Sequence, residues 1–95
     1  MKVTVKFTAN IRALTKADQI VVELDEGARL RELLQLLIER YGENLATSMF
    51  KSSMGPIDTW TSIIVDGRVF SLDPIPDIVL NDGSLVVLLT AVSGG

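Results

Sequence analysis

The feature that most limits the fold is a single change of hydrophobic period. Between residues 30 and 41, Leu30, Leu33, Leu34, Leu37, Ile38 and Tyr41 recur at helical spacing and form one apolar stripe. Arg29, Arg31, Glu32, Glu39 and Arg40 fill the remaining arc with Gln35, and Gly42 is suited to end the helix in a left-handed cap. Leu36 falls off the stripe, either as an isolated surface leucine or as one covered by the segment that follows. Before this stretch the period is two. Lys2 to Thr8 places Val3, Val5 and Phe7 on one face and Lys2, Thr4, Lys6 and Thr8 on the other, as in a strand with one wet face. Gln19 to Leu24 reads as a second strand with Ile20, Val22 and Leu24 inward, paired with the first across a loop from Ala9 to Ala17. Asp25-Glu26-Gly27 then separates strand from helix, its charges suited to a turn and a helix start.

After the helix, Glu43 to Thr59 has no firm period. A short helical piece is expected near Asn44 to Phe50, with a turn at Gly55-Pro56. Trp60 to Val65 resumes a strand. Asp66-Gly67 ahead of Arg68-Val69-Phe70 marks a tight hairpin, because two-residue turns need residues that tolerate positive φ. Pro74 and Pro76 make the next segment irregular, and Asn81-Asp82-Gly83 forms a turn that launches Ser84 to Thr90. That last segment is apolar at nearly every position, as suits a central strand covered on both faces: the helix on one side, and a loop or another protein on the other. One helix and several strands in this order give an α+β domain, a mixed sheet with one main helix on one face. Residues 1–90 form the domain and residues 91–95 a flexible tail ending in Gly94-Gly95.

A chain of 95 residues with 47% apolar content is one domain with enough apolar surface to form its own core. It has neither cysteine nor histidine, which removes disulfides, thiol nucleophiles, the commonest zinc ligands and the commonest general base. The net charge of −3 carries no basic stripe, so nucleic acid is not an expected partner. The alternating start, Met1 to Lys6, is not the apolar core of a leader, and no apolar run is long enough to span a membrane. A cytoplasmic protein with no membrane partner is expected.

Three local patterns carry a resemblance. Phe7-Thr8-Ala9-Asn10-Ile11-Arg12-Ala13-Leu14 resembles a strand exit of the form F-x-x-x-[IV]-R-x-L; Asp66-Gly67 sits in a hairpin; and Asn81-Asp82-Gly83 leads through an apolar strand to Val92-Ser93-Gly94-Gly95. In these the chain resembles the MoaD/ThiS family of sulfur carriers, which have the β-grasp, or ubiquitin-like, fold. Within it the Val92-Ser93-Gly94-Gly95 ending looks most like the small subunits of molybdopterin synthase. The resemblance implies that the Gly95 carboxylate is adenylated by a ubiquitin-activating-type (MoeB-like) adenylyltransferase and converted to a thiocarboxylate by a sulfur donor. It implies a second partner, the MoaE-like large subunit, in a heterotetramer. There the sulfur passes to a pterin precursor of the molybdenum or tungsten cofactor. Other users of a similar ending remain open: ubiquitin-like modifiers, carriers for tRNA thiolation or thiamine, and a non-reactive β-grasp interaction module.

The chemistry explains the ending. A carboxylate resists nucleophilic attack until it gains a leaving group, and AMP from ATP is one. Gly94 and Gly95 lack Cβ atoms, so the tail can thread a narrow channel and its carbonyl stays uncrowded. The chain needs no bound cofactor; ATP is used by the partner, in keeping with the absence of a glycine-rich phosphate loop. For docking, Leu85, Val87 and Leu89 are expected to join Val3, Val5 and Phe7 beneath the helix, which turns Val86 and Leu88 outward to meet the partners beside Val92 and Ser93. On that reading Leu88→Asp weakens partner binding and leaves the fold intact. Arg12 is a further candidate for a partner contact or, equally, an ordinary solvated arginine. Ser48-Met49-Phe50-Lys51 matches S-x-x-K of serine acyl enzymes by chance, since the other motifs of those enzymes are absent.

Overall fold

The computed structural model describes residues 1–42, 45, 59–71 and 75–92. The elements in chain order are β1 (Lys2–Phe7), α1 (Ala9–Thr15), β2 (Gln19–Glu23), α2 (Leu30–Tyr41), β3 (Thr59–Val65), β4 (Arg68–Ser71) and β5 (Leu85–Val92). The strands form one sheet in the order β2-β1-β5-β3-β4. Neighbours pair antiparallel except β1 and β5, which run parallel at the centre. This is the mixed sheet with one main helix expected from the change of period.

The apolar stripe of α2 is buried at Leu30, Leu33, Leu34 and Leu37, each contributing about 1.5–3 kcal/mol by leaving water. Those leucines join Val3, Val5, Phe7, Val22, Ile63, Val65, Val86 and Leu88 from the sheet in one core. The helix begins where the Arg29 N–H donates to Glu32 Oε1 at 3.3 Å, one half of a capping box. It ends at Gly42, whose N–H reaches the Ile38 carbonyl at 2.7 Å. Gly42 has φ +85° and ψ −169°, a region open essentially to glycine, in place of the left-handed helical cap expected. Leu36 packs half-buried against the core.

Three expectations need correction. The stretch from Ala9 to Ala17 is not a plain loop: residues 9–15 form α1, closed by Lys16 at φ +58°. A seven-residue helix holds Ile11 in the core and leaves Leu14 at the surface, too few turns to write a period into the sequence. The last strand runs on to Val92, paired with Thr59, so Ala91 and Val92 belong to the sheet and not to the tail. Third, the two faces of β5 are exchanged, as described below. The helical piece placed at Asn44 to Phe50 lies outside the described residues except for Leu45, which is fully buried.

The turns behave as their residues demand. Asp66 and Gly67 have φ of +49° and +88°, the paired positive values of a two-residue hairpin joining Val65 to Arg68. The Asp66 carboxylate also accepts the Ser84 hydroxyl at 2.9 Å and the Leu85 N–H at 2.8 Å, tying the hairpin to the start of β5. Ser84 is buried, and its hydroxyl oxygen accepts the Asn81 N–H at 3.0 Å, so this polar group is satisfied on both counts. On the other side of β5, Asp82 accepts the Lys2 N–H at 2.7 Å and the Gly83 N–H meets the Lys2 carbonyl at 2.8 Å. The entry of β5 is thus fixed to both of its neighbours.

Candidate functional site

The candidate site is the far end of β5. Because β1 and β5 are parallel, both leave the sheet at the same end, where α1 packs against β5. The pairing of β1 with β5 runs from Thr4–Leu85 to Phe7–Leu88. Beyond it the Thr8 hydroxyl donates to the Leu88 carbonyl at 2.8 Å. On the opposite side β3 follows β5 to its end, through Trp60–Ala91 to Thr59–Val92. A central strand paired on both sides therefore delivers the chain toward Val92. Ser93, Gly94 and Gly95 lie outside the described residues; three residues reach at most about 10 Å.

Arg12 stands on α1 at this same end of the sheet. Its guanidinium lies 3.6 Å from the Asp18 carboxylate, with both side chains exposed. Such an ion pair contributes little and holds the arginine weakly.

Val86 and Leu88 are not at the surface. Both are fully buried, and the face assignment made from sequence is reversed. The reason is register. Val86 lies beside Val5 and Leu88 beside Phe7, and laterally paired residues point to the same side of a sheet. Leu85 and Val87 instead stand beside Thr4 and Lys6, on the face that β1 keeps wet. On β3, Val65 and Ile63 continue the inner face opposite Val86 and Leu88, and Ile64 continues the outer face opposite Val87.

The outer face that results was missed from sequence. One row crosses four strands: Lys6 on β1, Val87 on β5, Ile64 on β3 and Val69 on β4. A second row runs Val21, Thr4, Leu85. Val69 is 67% exposed and Val21 57%, and Leu85, Val87, Leu89 and Ile64 are half-buried with no helix over them among the described residues. Only the pairing reveals it: the wet face of β1 names the outer face of its neighbour once their register is known.

The one described ion pair with shifted groups, Arg29–Asp77, lies at the start of α2. There the hydrogen bond to Arg29, together with its charge, holds the Asp77 carboxyl below the usual range, and the same bond and charge raise Arg29. Among the described residues no group of three metal-ligating side chains occurs. The described part of the chain presents a strand and a surface.

The model of the ThiS family matches residues 5–95. Among solved structures, a protein assigned as molybdopterin converting factor subunit 1 of Pyrococcus furiosus is 32% identical, with 92% of this chain and 93% of that one covered and a TM-score of 0.66. SAMP1 of Haloferax volcanii superposes over the whole of both chains with a TM-score of 0.74 at 16% identity, a likeness of fold alone. Urm1 of Trypanosoma brucei has a TM-score of 0.69 at 22% identity over 99% of this chain and 95% of that one, again a likeness of fold. No curated protein matches the sequence. The fold is the ubiquitin-like β-grasp, and the chain belongs to the ThiS family of sulfur carriers.

Proposed function

We propose that this chain carries sulfur on its Gly95 carboxyl for molybdopterin synthesis, as the small subunit of molybdopterin synthase. The observation that carries the reading is the 32% identity, over nearly the full length of both chains, with molybdopterin converting factor subunit 1 of Pyrococcus furiosus. The sequence supports it with Ser93-Gly94-Gly95 directly after the central strand.

In the proposed cycle a Gly95 carboxylate oxygen attacks the α-phosphorus of ATP and pyrophosphate leaves, giving an acyl adenylate. A sulfur nucleophile of the hydrosulfide class then attacks the Gly95 carbonyl carbon, the C–O bond to AMP breaks, and a thiocarboxylate remains. In the synthase that sulfur passes to the pterin precursor. This chain supplies the carbonyl and the docking surface; the partner supplies ATP and the oriented dipoles that stabilise the tetrahedral intermediate. Gly94 and Gly95 give the narrow section such a channel requires. Both partners, a MoeB-like adenylyltransferase and a MoaE-like large subunit in a heterotetramer, dock on the outer face of Val87, Ile64 and Val69 in place of Val86 and Leu88. That face is continuous with the strand that leads to the tail. In this proposal Arg12, Val92 and Ser93 take part in the same contact. The compartment is the cytoplasm, where these partners would be met.

The test is intact-mass measurement after co-expression with the adenylyltransferase and a sulfur source. Replacement of one oxygen by sulfur is expected, and deletion of Gly95 is expected to abolish it with the fold unchanged. A wild-type mass that never changes would remove the carrier reading, and lysine adducts carrying the tail on other proteins would point to a protein modifier.

A further inference from the structure

The sheet has an open margin at one edge. β2 is an edge strand, bonded only to β1 among the described residues. Leu24 and Met1 exchange backbone bonds at 2.9 and 2.7 Å, and the Phe7 N–H reaches the Asp18 carbonyl at 2.9 Å. In an antiparallel ladder this exchange recurs at every second residue, so Ile20 and Val22 bond inward. The peptide N–H and C=O groups of Gln19, Val21 and Glu23 therefore point away from the sheet, a row of unpaired donors and acceptors.

At the Glu23 end of this edge a groove of about 300 Å³ lies between the turn that follows β2 and α2. Half-buried Leu24 and Leu36 and buried Ala28 form its apolar part, which gives Leu36, off the helix stripe, a surface of its own to line. Its charges are of one sign: Glu23 from the strand, Asp25 from the turn, and Glu32 and Glu39 from α2, with no lysine or arginine lining it. The helix places Glu32, Leu36 and Glu39 at successive spacings of four and three residues, one side of the helix facing the strand edge.

We propose that this margin binds an extended, cationic segment of a partner protein, which adds to β2 as a further strand. Its backbone pairs with Gln19, Val21 and Glu23, alternate apolar side chains cover Leu24 and Leu36, and flanking lysines or arginines meet Asp25, Glu32 and Glu39. Backbone pairing supplies attachment and the side-chain pockets supply selectivity. The charge excludes other occupants. A nucleic acid or an anionic lipid surface is repelled, and two copies of this chain joined through β2 would set their own carboxylates against each other. The site lies at the β2 edge, beside Val21 of the outer sheet face.

The test uses the isotopically labelled full chain and the peptide acetyl-Lys-Val-Thr-Val-Lys-Ile-Arg-amide, followed by amide chemical shifts and hydrogen exchange. The Gln19, Val21 and Glu23 amides are expected to shift and gain protection. Binding is expected to weaken about tenfold or more with Glu32→Lys plus Glu39→Lys, both exposed positions, and to weaken with added salt. A peptide N-methylated on the positions facing β2 keeps every charge and is expected to lose binding. Equal binding by that analogue would reduce the margin to an acidic patch and overturn the proposal. So would shifts confined to the outer sheet face, no shift at β2, or shifts at β2 on concentrating the protein without peptide. No activating enzyme is involved, so these outcomes are independent of the sulfur-carrier reading.

Discussion

The two faces of β5 are built from the same kinds of residue and do different things. Val86 and Leu88 are lost completely from solvent beneath α2, whereas Leu85, Val87 and Leu89, their immediate neighbours in sequence, stay half-exposed. Hydrophobicity alone does not distinguish them. What separates them is the neighbour each meets: Val5 and Phe7 on one side, Thr4 and Lys6 on the other. An apolar residue is structural when its paired strand faces the same core, and is free for docking when its paired strand faces water.

The sharpest way to break this comparison is Leu88→Asp. A charge placed at a fully buried position has no partner among the residues around it, and the variant is expected to lose about 4 kcal/mol or more and fail to fold. Circular dichroism and urea denaturation check it, with Leu88→Ala, at about 2–5 kcal/mol, as the milder companion. A folded Leu88→Asp variant would restore the outward assignment.

Next is the link that holds both faces in register. Asp66→Ala removes the acceptor of the Ser84 hydroxyl and the Leu85 N–H and leaves a buried hydroxyl with less to bond. A loss of about 1–3 kcal/mol is expected in the denaturation midpoint. Asp66→Asn, which keeps one acceptor oxygen and tolerates positive φ, should recover part of it.

Val87→Asp probes the outer face. Stability is expected to fall by no more than about 1 kcal/mol. Affinity for the adenylyltransferase proposed as partner, measured by calorimetry, is expected to fall about tenfold or more, since the change puts an unpaired charge in the proposed docking surface. Unchanged affinity would move the docking surface elsewhere.

The smallest effect concerns Arg29–Asp77, which lies outside both faces. Because the Asp77 carboxyl is held below its ordinary value in the folded chain, its contribution is present above the usual carboxylate range and is lost as pH falls through the folded value. Arg29 stays protonated throughout. The thermal midpoints of wild type and Asp77→Asn should differ slightly at neutral pH and converge in acid. Both side chains are exposed, so salt should shrink the difference too.

Legibility from sequence followed the length and contrast of each pattern. The helix of Leu30 to Tyr41 spans three turns with a charged arc opposite, and its four buried leucines could be named in advance. Asp66-Gly67 was equally plain, because few residues accept two successive positive φ values. Residues 9–15 were not read as a helix, since Ile11 alone is buried among its apolar residues with described side chains. The candidate site divides likewise. Gly94 and Gly95 stand out by composition and place; Val86 and Leu88 were misassigned because an unbroken apolar run has no alternation from which to choose a face.

The open edge of β2 was also invisible, since nothing in Gln19 to Glu23 says which strand is its last neighbour. By itself, then, the sequence determined the elements with strong period, the tight turns and the diglycine ending, because each depends on a few adjacent residues and their local conformational preferences. Only the tertiary structure decided which face of β5 is buried, how far that strand runs and where the sheet ends. The first depends on the register between β1 and β5, residues some eighty positions apart along the chain, where a shift of one residue turns every side chain of the strand to the opposite face, and the other two depend on which strands come to lie side by side.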